Sequence, residues 1–293
     1  MKQTDLQNKW VTVIDFKSPQ DFFEIDSTVW RKMLYDRKLI IFKKMNFTKK
    51  EYVKLCMCFG KLWDATDYQY SKEKVEPVTI QDEIFTISPI SNKISPNLGM
   101  NRMPWHADIP NKVDKPFPIR SIWMTKNPNP ESGLTSWMNI EDGIDMLSED
   151  LKLQIDDIKI IQQSWWEKNT DIQVFDFIKK HPITNNNSLR LNFFRDENPK
   201  TSDAWIKDVL FKGQMQDPKL ILAPFFKHLE TQKELLYTHK WDDFDIIIYD
   251  NWPLVHNRTK LEFDVTLERL MYRTNIDHLT DLEYKLYKKS ILK

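Results

Sequence analysis

The sequence predicts an α+β domain built on a β core. Short apolar runs with strand character recur along the whole chain, and helical stretches sit in groups between them. The chain has 293 residues, 41% hydrophobic and 13% aromatic, enough to bury a substantial core. No internal repeat or low-complexity linker divides it, so one domain over 1–293 is expected.

In order, residues 18–37 read as helical, with Phe22, Phe23, Val29, Trp30, Met33 and Leu34 as the apolar set. "KLIIF" (38–42) reads as a buried strand. "TKKEYVKLCMCFG" carries the marks of a helix: Thr48 as N-cap, Glu51 three residues on as its capping-box partner, Gly60 as the stop. These pieces make an N-terminal helix–strand–helix over 18–63. Residues 61–104, with Pro77, Pro89, Pro96 and Pro104, lack periodicity, and a long irregular stretch of this kind suggests a lid or binding loop. "IRSIWMT" (119–125) predicts a strand, "NIEDGIDMLSEDLKLQI" a helix capped by Asn139, and "IKIIQQSW" an extended segment. Residues 202–213 and 218–236 are expected to be helical, and 245–250 and 267–276 to be strands.

Composition narrows the function. The 43 basic and 43 acidic residues cancel, which argues against a nucleic-acid binder working through a bulk basic field. The start, "MKQTDLQNKW", is too polar for a secretory signal, and no run approaches eighteen apolar residues, so no membrane association is expected. Cys56 and Cys58 are too few for a disulfide framework and suit buried thiols in a reducing, cytoplasmic setting. With only five glycines, the chain has no glycine-rich phosphate cradle.

The chemistry concentrates in "WHAD" (105–108). On an extended segment residues i and i+2 share a face, so His106 and Asp108 can converge on one ion. An imidazole and a carboxylate suit Fe(II) or zinc, and a distant second His completes a facial triad with open coordination positions. Alone, the pair also suits an ordinary turn. Of the other histidines, His228 lies in an amphipathic helix and His278 in a polar tail, while His239 precedes a strand. His256, in "DIIIYDNWPLVHNRT", follows a rigid strand and turn that would deliver it to a fixed place. Arg269 and Arg273 sit in the apolar run "LERLMYRTNI", where burial is costly unless an anion pairs with them. A guanidinium fork matches a carboxylate.

With these residues in view, the chain resembles the Fe(II)/2-oxoglutarate-dependent dioxygenases of the taurine dioxygenase (TauD/TfdA) family. The carrying segments are "WHAD", "SGLTSW" (132–137), "DIIIYDNWPLVH" (245–256) and "ERLMYR" (268–273); the opening strand, helix and "FG" turn and "HPIT" (181–184) fall in family order. The resemblance implies a distorted double-stranded β-helix, or jelly-roll, with helices outside. It implies His106, Asp108 and His256 as iron ligands, and Arg269 and Thr135 as the residues that bind 2-oxoglutarate. It implies oxidative decarboxylation of 2-oxoglutarate with O2 to succinate and CO2, coupled to hydroxylation of an unactivated C–H bond in a small metabolite such as an amino acid or another small carboxylate or sulfonate.

Arg273 matches the position that grips the substrate anion in sulfonate-using members. Asn101 and Arg102 lie near where the family contacts substrate; residues 64–100 and 164–180 are lid candidates, and Trp165 in the second is a candidate to wall the substrate pocket. Arg120 and Arg190 are assigned to surface or structural pairing. The family's Gly-Gly-Asp-Thr reads Ser132-Gly133-Leu134-Thr135 here, and its Gly-Asp reads Phe244-Asp245. Asp108 is retained where related halogenases carry a small residue, which favours hydroxylation. Homo-oligomers are common in such families, although the sequence marks no interface. Two other classes stay open: a jelly-roll hydrolase or isomerase without redox chemistry, and an inactive binding protein on the same scaffold.

Overall fold

A computed structural model describes residues 1–62, 85–87, 102–108, 118–164, 173–192, 194, 204–264 and 267–279; at 85–87, 163, 164, 173, 204 and 205 it describes the backbone alone. Seven strands form the major sheet, in the spatial order Lys2–Asp5, Val11–Asp15, Leu39–Lys43, Ile246–Asp250, Ile119–Lys126, Leu270–Ile276 and Phe85–Ile87. Its pairs are antiparallel except Val11–Asp15 with Leu39–Lys43. A minor sheet follows the order Leu236–His239, Thr135–Asn139, Leu254–Arg258 and Met103–His106, all antiparallel. A third sheet takes Gln214–Gln216, Ala204–Phe211, Ile158–Ser164 and Gln173–Asp176, and Ile178–Lys180 pairs with Asn187–Leu189.

Strand alternation sorts the core into layers. On the major sheet Leu39, Ile41, Met124, Ile247, Tyr249 and Met271 point inward, meeting Trp137 and Leu254 of the minor sheet in one apolar cluster with Trp10 and Trp241. The alternate residues, Ile40, Phe42, Ile119, Trp123, Ile246 and Ile248, point outward against Trp30, Leu34, Tyr52 and Leu55 of two helices, Ser27–Arg37 and Lys49–Met57. This explains why "DIIIYD" is apolar throughout: both its faces are covered. Met138 and Val255, on the minor sheet's other face, meet Leu222, Phe225 and Leu229 of the helix Pro218–Glu230 and Ile160, Ile206 and Val209 of the third sheet.

The expected elements recur with five corrections. Residues 18–37 split into a 3-10 helix, Pro19–Glu24, and the helix Ser27–Arg37, because Ser18 and Asp26 each cap a separate start. Residues 204–211, expected to be helical, form a strand. The expected helix after Asn139 breaks into Gly143–Met146 and Glu149–Lys152, with a 3-10 turn at Ile155–Asp157; Asn139 does receive the Glu141 and Asp142 amides, both at 3.1 Å. The second helix of 218–236 ends at Glu230, and a 3-10 turn leads into the strand Leu236–His239. Within the expected loops, Phe85–Ile87, Gln173–Asp176 and Ile178–Lys180 are strands, and Met103–His106 is the extended segment expected at His106, starting two residues inside the first loop; most of 64–100 and residues 165–172 lie outside the described residues.

Candidate metal centre

The minor sheet brings the two histidines of the sequence argument together. His106 ends its strand and His256 lies directly across from it in register, with ring centroids 4.1 Å apart. Asp108 sits two residues past His106: its Oδ1 is 3.9 Å from His106 Nε2 and its Oδ2 is 3.4 Å from His256 Nε2. One ligand atom from each of the three lies within 4.8 Å of the others, close enough to converge on a single ion.

The hydrogen bonds fix which atoms are offered. His106 Nδ1 lies 2.7 Å from the Pro104 carbonyl, an acceptor only, so Nδ1 carries the proton and Nε2 presents its lone pair. Burial pushes the pKa of His106 down, and that of His256 further, so both are neutral and able to ligate at pH 7. Burial acts the other way on Asp108, but Arg120 and then the two histidines outweigh it and hold the carboxyl far below the usual range. The donor set is thus two neutral imidazoles and one carboxylate.

Arg120 projects from the inner face of the major sheet, 2% exposed, and donates to Asp108 Oδ2 from Nη2 at 2.6 Å and Nε at 2.8 Å. The Tyr249 hydroxyl reaches the same oxygen at 3.3 Å. Asn251 brackets the Asp108 main chain: its Oδ1 accepts from the Asp108 amide at 3.1 Å and its Nδ2 donates to the Asp108 carbonyl at 2.7 Å. Of the surface or structural pairing expected for Arg120, the structure shows structural pairing: it is buried and paired with Asp108, so it belongs to the site rather than the surface. Arg190 is half-buried, its guanidinium 4.1 Å from the Phe175 ring centroid. Arg273, half-buried, lies near enough for its charge to act on His106, Asp108 and His256. Arg102 is exposed just before the strand Met103–His106. Asn101 and Trp165 lie outside the described residues.

Farther along the inter-sheet space sits a second polar group. Thr135 and Arg269 are buried, 6% and 1% exposed. Trp241 Nε1 donates to Thr135 Oγ1 at 2.9 Å, which leaves the threonine hydroxyl proton to be given elsewhere. Arg269 donates from Nη1 to Met271 Sδ at 3.0 Å, while its Nε and Nη2 have no hydrogen-bond partner among the described residues. A buried guanidinium left this way is suited to an incoming carboxylate. Gly133 lets the chain pass close to Leu261 beside this guanidinium. Its φ is +62°, and a Cβ there would lie 2.1 Å from Leu261 and 3.5 Å from Arg269 Nη2.

A second His–Asp–His cluster, His181, Asp250 and His278, also has ligand atoms within 4.8 Å of one another. Its protons argue against a metal. His181 Nδ1 accepts the amides of Ile183 and Thr184, both at 3.0 Å, so Nε2 carries the proton and gives it to Asp250 Oδ2 at 2.8 Å. Metal-bound histidines donate through the other nitrogen, as His106 does. His278, expected in a polar tail, is instead fully buried, with Nε2 3.5 Å from Asp250 Oδ1.

Comparison with known proteins places the fold. No curated protein matches the chain in sequence. Among solved structures, AAD-2 in complex with Mn(II) and N-oxalylglycine superposes with a TM-score of 0.66 at 17% identity, covering 95% of this chain and 98% of that one. A taurine dioxygenase from Burkholderia xenovorans gives 0.60 at 19% identity over 91% and 87%. PvcB, an Fe, alpha-ketoglutarate dependent oxygenase from an isonitrile synthetic pathway, gives 0.65 at 12% identity over 94% and 91%. At these identities the likeness is one of fold. The model of the taurine catabolism dioxygenase TauD, TfdA family matches residues 2–275, and the chain belongs to that family.

Proposed function

We propose that the protein is a non-haem Fe(II)- and 2-oxoglutarate-dependent dioxygenase that couples conversion of 2-oxoglutarate and O2 to succinate and CO2 with hydroxylation of a C–H bond in a small anionic metabolite. One observation carries the reading: a neutral two-histidine, one-carboxylate cluster shares an inter-sheet space with a buried guanidinium that has two nitrogen donors unpartnered among the described residues. A hydrolase or isomerase on the same metal would have no use for that guanidinium. The two facing sheets are read as a distorted jelly-roll.

His106, Asp108 and His256 hold the iron. The three ligands leave positions for the 2-oxo acid and for oxygen, and bound iron supplies the oxidising chemistry. Arg269 and the Thr135 hydroxyl take the distal carboxylate, which orients the 2-oxo acid. Arg120 and the Tyr249 hydroxyl occupy Asp108 Oδ2, so Oδ1 is the oxygen offered to the metal. Arg273, with its charge acting on the cluster, favours an anionic substrate. Trp137, opposite His256 in the ladder, and Trp241 help keep water from the space.

Adding Fe(II) and 2-oxoglutarate without oxygen is expected to produce a visible metal-to-ligand charge-transfer band. A folded protein that gives no band overturns the reading. His106→Ala is expected to lose both the band and succinate formation; a variant still making succinate above background would remove His106 from the ligand set. Screening small amino acids, carboxylates and sulfonates for stimulated succinate formation identifies the substrate.

A further inference from the structure

Arg258 lies two residues after His256 on the same strand, so both side chains face the inter-sheet space, about 7 Å apart along the strand. Across the ladder it pairs in register with Thr135. Arg269 approaches from the major sheet, whose inner face carries Met271, its hydrogen-bond partner. The pocket therefore receives Thr135 and Arg258 from one sheet and Arg269 from the other, one strand pleat beyond His256. We propose that Arg258 is a second guanidinium for the distal carboxylate of 2-oxoglutarate, so that Thr135, Arg258 and Arg269 together form an anion pocket carrying two positive charges. This rests on the function proposed above.

Burial pulls Arg258 down to about 10, and burial followed by the charge of Arg258 pulls Arg269 down to about 9, so the two guanidinia lie within electrostatic reach of each other. Arg269, with Nε and Nη2 unpartnered among the described residues, is the buried cation that calls for an anion, and Arg258 brings a second guanidinium to the same place. A pocket of this charge selects a dicarboxylate over a 2-oxo acid of the same length that ends in a methyl group. The affinity lost with the distal carboxylate therefore measures the pocket.

The test titrates Mn(II)-loaded protein with 2-oxoglutarate and with 2-oxopentanoate, following heat, in wild type, Arg258→Gln and Arg258→Lys. Wild type is expected to prefer 2-oxoglutarate strongly. Arg258→Gln is expected to weaken 2-oxoglutarate by about ten- to hundredfold, the range of a charge-assisted hydrogen bond, and to leave 2-oxopentanoate within about threefold. Arg258→Lys keeps the charge without the fork and should recover part of the loss. If Arg258→Gln does not fold, the lysine variant is read alone, and a loss confined to 2-oxoglutarate supports the proposal. Equal weakening of both ligands, or unchanged 2-oxoglutarate affinity in a folded variant, overturns it. Wild type that binds no 2-oxoglutarate at all would instead overturn the proposed function, before any variant is compared.

Discussion

At the residue scale the Arg120–Asp108 pair has the clearest energetic consequence. Asp108 is ionised in a largely buried place, and Arg120 is the cation that compensates it. Replacing Arg120 with Met strands the carboxylate, a change of the kind that costs about 3–5 kcal/mol. Metal-free Arg120→Met is therefore expected to unfold at lower urea than wild type, and Mn(II), supplying a cation to the same carboxylate, should restore more stability to the variant than it adds to wild type. Equal gains would mean that Arg120 does not compensate Asp108. This pair also marks a limit of the sequence. His106 and Asp108 could be read from their two-residue spacing, and His256 from the strand and turn before it. Arg120 and Tyr249 could not: they are neighbours of Asp108 only because two sheets stack. Nothing in "IRSIWM" tells an inward-pointing arginine at a strand start from an outward one. His278 was hidden in the same way, since Asp250, which buries it, lies 28 residues earlier in the chain.

At the element scale, local chemistry was legible where it is self-contained. Thr48 and Glu51 form the expected capping box, the Thr48 amide reaching Glu51 Oε2 at 2.8 Å. The sequence marks Gly60 as a helix stop, but the helix already ends at Met57; a glycine is needed at 60 because a Cβ would lie 2.2 Å from the Asp277 carbonyl. Residues 204–211 misled for a physical reason. A register shift between Ile206 and Asp208 breaks the strand's alternation and leaves the buried Ile206 and Val209 three apart, which imitates a helix face.

The turn after Ile246–Asp250 gives an element-scale prediction. Asp250 Oδ1 accepts the Trp252 amide at 2.9 Å and Oδ2 accepts from His181, anchoring the turn that leads to His256. Burial would raise the Asp250 carboxyl, yet His181 and His278 bring it down to about 2. A folded-state pKa below the unfolded one contributes stability that is full above about pH 4 and lost as pH falls toward 2, roughly 2 kcal/mol in all. Asp250→Asn removes this component. The stability gap between wild type and Asp250→Asn, from urea unfolding, is expected to be full at pH 7 and to shrink by roughly 2 kcal/mol between about pH 5 and pH 2. A gap that stays constant over that range would show that Asp250 acts through shape alone.

At the scale of the whole molecule, the candidate centre is divided between the two facing sheets. The minor sheet provides His106, His256, Thr135 and Arg258; the major sheet provides Arg120, Tyr249 and Arg273, with Arg269 just before its strand Leu270–Ile276. Under the proposed function, a metal alone would engage one end of this space, and 2-oxoglutarate alone would have only the arginine end to hold it. Bound together they would tie the minor sheet to Arg269 across the core. A ligand that binds only the folded state at a hundred times its Kd adds about 2.7 kcal/mol. Thermal unfolding is therefore expected to shift upward modestly with Mn(II), little with 2-oxoglutarate, and by more than the sum with both. The excess measures the coupling between the two ends, because each ligand raises the affinity for the other by the same factor. His256→Ala should abolish the excess through the metal end, and Arg269→Gln should abolish it through the carboxylate end, although the two residues come from different strands. Purely additive shifts in wild type would mean that metal and 2-oxo acid do not share this space, and the division of the site between two sheets would then have no functional meaning.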